Sequence, residues 1–458
     1  MYSILFMILL LLSHSTPLKL SQDINKLTID LYKKVDEVDH VGNIAFSPFS
    51  LHTALSMALE GSEQSSTTHQ ELAKLILGDD RLSLDDEYQN SISQVYSNLS
   101  SPEDIKLMVA NKVFSDDDFR LSGKYRDVLQ RVYHSAIETV DFSQPKAAGD
   151  TINTFVDRIT QGLIKETVSP EDIDPLTRLV LINALYFKAD WKVQFNEALT
   201  KPMDFQNLPE KYPFGMNMKS DLKWTNLASS SGFDAEVLEL PYKNTNYRML
   251  LILPHTHLQD LDMNQLDFDQ LNSRLQRTRA RPVQLTLPRF KMDHEVKQMK
   301  DILKALGVVD MFDYRLANFK KISDTREDIF VSDVIHKAVI EVNEQGSEAA
   351  AVTAVVFSAR CVGCGHHPTP PHVMNFDKPF LFVIQEAVHQ IPLFFGRVTK
   401  PNAANDDVQP RSDLKTPKKL QFQEETMLSD PDSKAAEYSH KKSYSVLSCL
   451  LLCIILHQ

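Results

Sequence analysis

Leu179-Val180-Leu181-Ile182-Asn183-Ala184-Leu185-Tyr186-Phe187 is apolar at odd and even positions alike. Successive side chains of a strand point to opposite faces, so this run belongs in a sheet covered on both sides. Met249–Leu253, Phe380–Ile384 and Leu393–Phe395 repeat the pattern in shorter form, and Val283–Leu287 also reads as a strand. Helical spacing governs the first third instead. Ile24, Leu27, Leu31 and Val35 fall on one stripe, and Ser47-Pro48-Phe49-Ser50 offers a helix start ahead of Leu51, Leu55, Ala58 and Leu59. Helices first and strands mostly later predict an α+β fold rather than a doubly wound sheet.

The chain has 458 residues, 43% of them hydrophobic and 24% charged, which suits a soluble protein with a large core. Residues 20–400 contain neither a Pro/Gly/Ser linker nor an internal repeat, so one large domain over 16–401 is expected. The net charge of -12 weighs against general nucleic-acid binding. All four cysteines (Cys361, Cys364, Cys449 and Cys453) lie beyond residue 360, so packing rather than disulfides must hold the core. Catalytic signatures are missing: there is no G-x-S-x-G turn, no phosphate loop and no H-E-x-x-H helix. With only 13 glycines, phosphate cradles are also scarce. Neither an enzyme nor a cofactor is expected.

The two ends read differently from the middle. Residues 1–15 form a short apolar run followed by Ser13-His14-Ser15, the pattern of a secretory signal peptide. Asn98-Leu99-Ser100 is a glycosylation sequon, which predicts an exposed Asn98 on an extracellular glycoprotein. Residues 402–445 are polar and acidic, as in a disordered tether. Residues 446–458 are mostly apolar, but Val446–Leu456 would rise only about 16 Å as a helix against a hydrocarbon core of about 30 Å. Small residues at Ser433 and Ala435, a polar spacer and this short apolar end fit a GPI-attachment signal. A sticky end on a disordered tail and a poor tail anchor are the other readings.

The segment from Glu344 to Arg360 is the candidate functional element. It carries Gly346, Ser347, Ala349, Ala350, Ala351 and Thr353, then β-formers, then one cation. Such a stretch can live as a loop and has the propensity to become a strand, and it also reads as an alanine-rich helix start before an edge strand. Just beyond it, Cys361, Cys364, His366, His367 and His372 leave zinc ligation, a Cys361–Cys364 ring or free thiols open. Arg274, Arg277, Arg279 and Arg281 form a basic run, read either as a solvated helix end or as a patch for heparin-like polyanions.

Six motifs, in order across residues 22–401, resemble those of the serpin family. They are Asn43–Ser50, Asn183–Trp191, Leu287–Phe290, His336–Gly346, Asp377–Phe382 and Phe395–Val398. The resemblance implies an α+β fold of three β-sheets, about eight or nine helices and an exposed reactive-centre loop. It also implies a monomeric suicide-substrate inhibitor of serine proteases, or else a non-inhibitory member acting as a ligand carrier or chaperone. Carried over residue by residue, it makes Ser47, Ser50, Asn183 and His336 a polar cluster behind the central sheet. Trp191 would stand where the loop first inserts, with Glu344 paired to Arg289 there. Counting sixteen residues from Glu344 puts the reactive bond at Arg360–Cys361, which implies trypsin-like targets. Two departures stand out. Val352 occupies a position where the family prefers a small residue, and the segment from Arg360 to Lys378 is longer than usual. Another register would move the bond to Cys364 or His366.

Overall fold

The computed structural model describes residues 16–345, 370–401 and 448–457, apart from 80, 100–104, 161, 163, 207, 210, 228–232, 297 and 326–327. The signal-peptide, tether and loop expectations (1–15, 402–445 and 346–369) lie outside the described residues.

Eight α-helices occur among the described residues: α1 (Thr16–Val38), α2 (Pro48–Gly61), α3 (Thr67–Leu77), α4 (Asp86–Leu99), α5 (Gly123–Arg131), α6 (Pro145–Ile159), α7 (Phe268–Arg277) and α8 (Met299–Ala305). The expected stripe Ile24, Leu27, Leu31 and Val35 is the buried face of α1. Ser47 caps α2 by accepting from the Ser50 amide at 3.0 Å, and Pro48 holds the first helical position, where no donor is needed. Nearly every residue of α2 is buried, the polar Ser50, His52, Thr53 and Ser56 included, because the helix threads the core.

The strands form three sheets. The first runs β1 (Ile44–Phe46), β14 (Ile391–Val398), β13 (Phe380–Glu386), β8 (Tyr247–Pro254), β7 (Ala235–Pro241) and the end of β6 (Lys211–Asn226). The start of β6 belongs to a second sheet with β5 (Lys201–Asp204), β9 (Arg281–Pro288) and β12 (His372–Asn375). Gly396 on β14 is needed because a Cβ there would meet the Ile44 carbonyl at 2.4 Å and the Phe382 ring at 2.5 Å.

The third sheet has six strands, in the order β10 (Phe290–Glu295), β11 (Phe330–Val342), β15 (Ser448–His457), β4 (Thr177–Ala189), β2 (Ile105–Asp116) and β3 (Ala136–Val140). It meets the demand set by the Leu179–Phe187 run. Leu179 and Leu181 join the main core on one face, while Val180 and Ile182 join a second cluster with Ile152, Phe155 and Val156 of α6 on the other. The sequence left 446–458 as an apolar end; the structure gives 448–457 an antiparallel place between β11 and β4.

One buried titratable group gives this core a pH dependence. His52 of α2 is 1% exposed, with Nε2 2.9 Å from the Tyr88 hydroxyl. Burial first, and the Arg81 guanidinium second, push its pKa down to about 3. The folded protein keeps His52 neutral while the unfolded chain takes up a proton below about pH 6.5. Stability is therefore lost as pH falls from about 6.5 towards 3, by on the order of 3 kcal/mol at pH 4. Denaturant melts of His52→Gln should show a flatter decline over that window, and an unchanged slope would rule His52 out.

Candidate functional site

The segment that begins the reactive-loop candidate leaves β11 at Val342 and is fastened at once. Glu344 is only 2% exposed, and Arg289 Nε donates to both of its carboxylate oxygens, at 2.8 and 2.7 Å. The Thr200 hydroxyl donates a third, short hydrogen bond to Oε1. A carboxylate that deep is tolerable only with such partners. Arg289 follows Pro288 at the end of β9 and stays 30% exposed, so the cation keeps part of its hydration while neutralising the buried acid.

Backbone groups fasten the same three residues. The Trp191 indole N–H donates to the Asn343 carbonyl at 2.9 Å. The amides of Phe195 and Trp191 donate to the carbonyls of Glu344 (2.7 Å) and Gln345 (2.9 Å). Trp191 itself is held flat against Tyr242, with ring centroids 4.5 Å apart. Trp191 continues from the end of β4, so the chain leaving β4 and the chain leaving β11 are joined directly here. The structure thus brings Trp191, Glu344 and Arg289 together, as the resemblance implied. It adds Thr200, Phe195 and Tyr242, which no motif singled out.

Lower in the third sheet, the Ser47 amide donates to His336 Nε2 at 3.1 Å, which ties the cap of α2 to β11. Ser47, Ser50 and His336 therefore form one buried cluster. Asn183 on β4 and His336 on β11 fall on one rung of the ladder, but Leu452 of β15 stands between them.

The chain is described again at Pro370 and pairs as β12 in parallel with β9. His372 stacks on Trp224 at 3.8 Å, and its Nε2 lies 3.1 Å from Glu236. The described residues on either side of 346–369 are thus anchored. Gly346, Ser347, Ala349–Ala351, Thr353, the Arg360–Cys361 bond and the residues Cys361, Cys364, His366 and His367 lie outside the described residues.

The remaining candidates fall on the surface. Arg274 and Arg277 end α7, where cations complement the helix dipole, and Arg281 opens β9. Arg274 bonds the Asn226 carbonyl, while Arg277, Arg279 and Arg281 are exposed. Asn98 is exposed on the last turn of α4. Among the described residues no helix is long and apolar enough to cross a membrane.

Comparison with known proteins gives this geometry its context. The family model "Serpin (serine protease inhibitor)" matches residues 22–401. Ipis-1 of Ixodes persulcatus is 36% identical, over 83% of this chain and 98% of its own. Human neuroserpin is 32% identical, over 88% and 97% respectively. Among solved structures, a cleaved Serpin 42Da superposes with a TM-score of 0.72 at 28% identity, covering 85% of this chain and all of its own. Native protease nexin-1 with heparin gives 0.71 at 27%, covering 84% and all of its own.

Arg289→Ala should cost about 2 kcal/mol, less than a fully buried pair would because Arg289 is partly hydrated. Adding Glu344→Ala should restore part of that loss, since the orphaned charge goes with it. A double variant as unstable as Arg289→Ala alone would contradict the pairing.

Proposed function

Because the chain belongs to the serpin family, whose model it matches over residues 22–401, we propose that it is a suicide-substrate inhibitor of trypsin-like serine proteases. One observation supports the reading above the others. The segment leading to Arg360 starts from a buried, multiply bonded Glu344 beside β4 and β11. It then continues with small side chains, Ser347 and Ala349–Ala351, that a sheet interior can accept.

The reaction begins as ordinary proteolysis. The protease serine Oγ attacks the Arg360 carbonyl, an ester forms, and the new amine of Cys361 departs with a proton. Arg360 suits a specificity pocket bearing a carboxylate, which a guanidinium can meet with two parallel hydrogen bonds. Water would normally cleave the ester. Here the freed segment inserts as a strand first, and ladder hydrogen bonds at roughly 1 kcal/mol each sum to on the order of 10 kcal/mol. Fourteen extended residues reach about 46 Å, which carries the tethered protease across the molecule and distorts its active site.

The protein acts outside the cell, secreted or held at the surface through a lipid anchor near Ser433, as a monomer. Arg277, Arg279 and Arg281 form an exposed ridge suited to a heparin-like chain, and protease nexin-1, a structural relative, was solved with heparin.

Incubation with trypsin should give an SDS-resistant complex, and Arg360→Ala should abolish it. Complete cleavage with no complex would refute inhibition, and unchanged trapping by Arg360→Ala would refute the assigned bond. On immobilised heparin, Arg277→Gln/Arg279→Gln/Arg281→Gln should elute at lower salt than the parent. Coincident elution would remove the ridge as a polyanion site.

A further inference from the structure

β15 holds a place that the proposed mechanism needs for something else. β4 and β11 are each antiparallel to β15, so they run parallel to one another, with their inner edges facing across it. Its rungs run without a break from Cys449 to Ile455 on both sides, with a bulge in β11 between Val331 and Asp333 and a register shift against β4 after Leu456. Cys449 lies opposite Val339 and Tyr186, Leu452 opposite His336 and Asn183, and Leu456 opposite Val331 and Leu179. A segment that turns back from Val342 and pairs antiparallel with β11, away from β10, must lie in this same slot. The slot has one ladder and two claimants.

We infer that the C-terminal segment Ser448–His457 is a displaceable plug of the slot between β4 and β11, and that it holds back insertion of the cleaved loop. Three observations carry this. The flanking strands feed cores on both faces, Leu179, Leu181, Ala338 and Ile340 to one and Val180, Ile182 and Val339 to the other. A central strand there must be apolar at odd and even positions, and Cys449-Leu450-Leu451-Leu452-Cys453-Ile454-Ile455-Leu456 is. Secondly, the plug leaves the loop's doorway open. Among the described residues its pairing with β11 ends at Val339, so no rung between Ile340–Val342, next to Glu344, and the described tail 448–457 occurs. The loop can start there, and each further residue must peel the plug from its Ser448 end. Thirdly, the segments differ in strength. Leucine, isoleucine and cysteine face Ala349–Ala351, and alanine is depleted in strands, so the first exchanged rungs favour the plug.

The occupant is this chain's own tail. Residues 402–447 could extend over about 150 Å at roughly 3.3 Å per residue, ample to reach the slot from Pro401, and a tether of that kind sets an effective concentration near millimolar. A cut anywhere between Pro401 and Ser448, including the one that glycolipid attachment near Ser433 entails, would unplug the sheet.

The experiment compares the full chain with Leu452→Pro, which removes a ladder donor in mid-strand, and with Gln421→Pro in the tether as a control. The trapping arm rests on the proposed inhibitory function; the melting arm does not. Leu452→Pro should lower the melting midpoint by several degrees and, scored on chains that mass spectrometry shows uncut between 402 and 447, speed formation of the trypsin complex by about tenfold, because trapping follows the fraction of open slots. A lysine-tagged peptide of residues 448–457 should raise the midpoint again and slow trapping, while Gln421→Pro matches the parent. If no variant forms a complex, the inhibitory reading has failed and the melting arm alone decides the plug. Equal midpoints for the parent and Leu452→Pro would overturn the inference. A dimer of the full chain that Leu452→Pro dissociates would overturn it as well, by assigning the slot to a second copy's tail.

Discussion

Two parallel strands that touch at one end and are spread apart below it govern this structure. Chain leaving β4 bonds chain leaving β11 through Trp191, Phe195 and the carbonyls of Asn343–Gln345. Below that clasp a third, antiparallel strand separates them. Each turns an edge toward the other, so any strand antiparallel to both, whether it follows β11 or comes from the tail, can fill the gap. The bonds at Asn343–Gln345 and the Ser47–His336 cluster below them both lie on the strands that frame that gap.

The clasp is strong because several hydrogen bonds and one ion pair converge on three consecutive residues, Asn343–Gln345. Glu344 costs free energy to bury, and Arg289 and Thr200 offset that cost only while the hinge stays in place. Under the proposed function, the same residues resist the first step of insertion. Further down, the Ser47–His336 bond couples β11 to α2, a helix with no exposed face to slide along. At that rung β4 and β11 are already parted by Leu452 with the contact intact, which puts the cluster beside the strand that any exchange would replace.

Much of this was legible in the residues themselves. The two-sided Leu179–Phe187 run required a sheet covered on both faces, and the two cores supply the covers. Ser47-Pro48 marked a helix start that the Ser50 amide confirms. The pairing of Glu344 with Arg289 was legible only through family resemblance, because nothing in either residue's neighbours points across 55 positions. Thr200 left no signal at all: one hydroxyl in a turn gains meaning only from the buried acid it meets. His372 was weighed as a zinc ligand, yet it stacks on Trp224, a contact set by the register of β12 on β9. The tail shows the limit most clearly. Its apolarity was plain, but strand pairing with β4 and β11 is non-local, and register comes from the ladder rather than from composition.

Hydrogen exchange with mass spectrometry, before and after cleavage of the loop, tests the shared slot most directly, since amides in a central strand open only with the sheet. The account predicts slow exchange across 449–456 and fast exchange across 347–358 in the intact chain, with the two reversed after cleavage. Protection that never appears at 449–456, or that stays there while 347–358 remains fast after the cut, would contradict it.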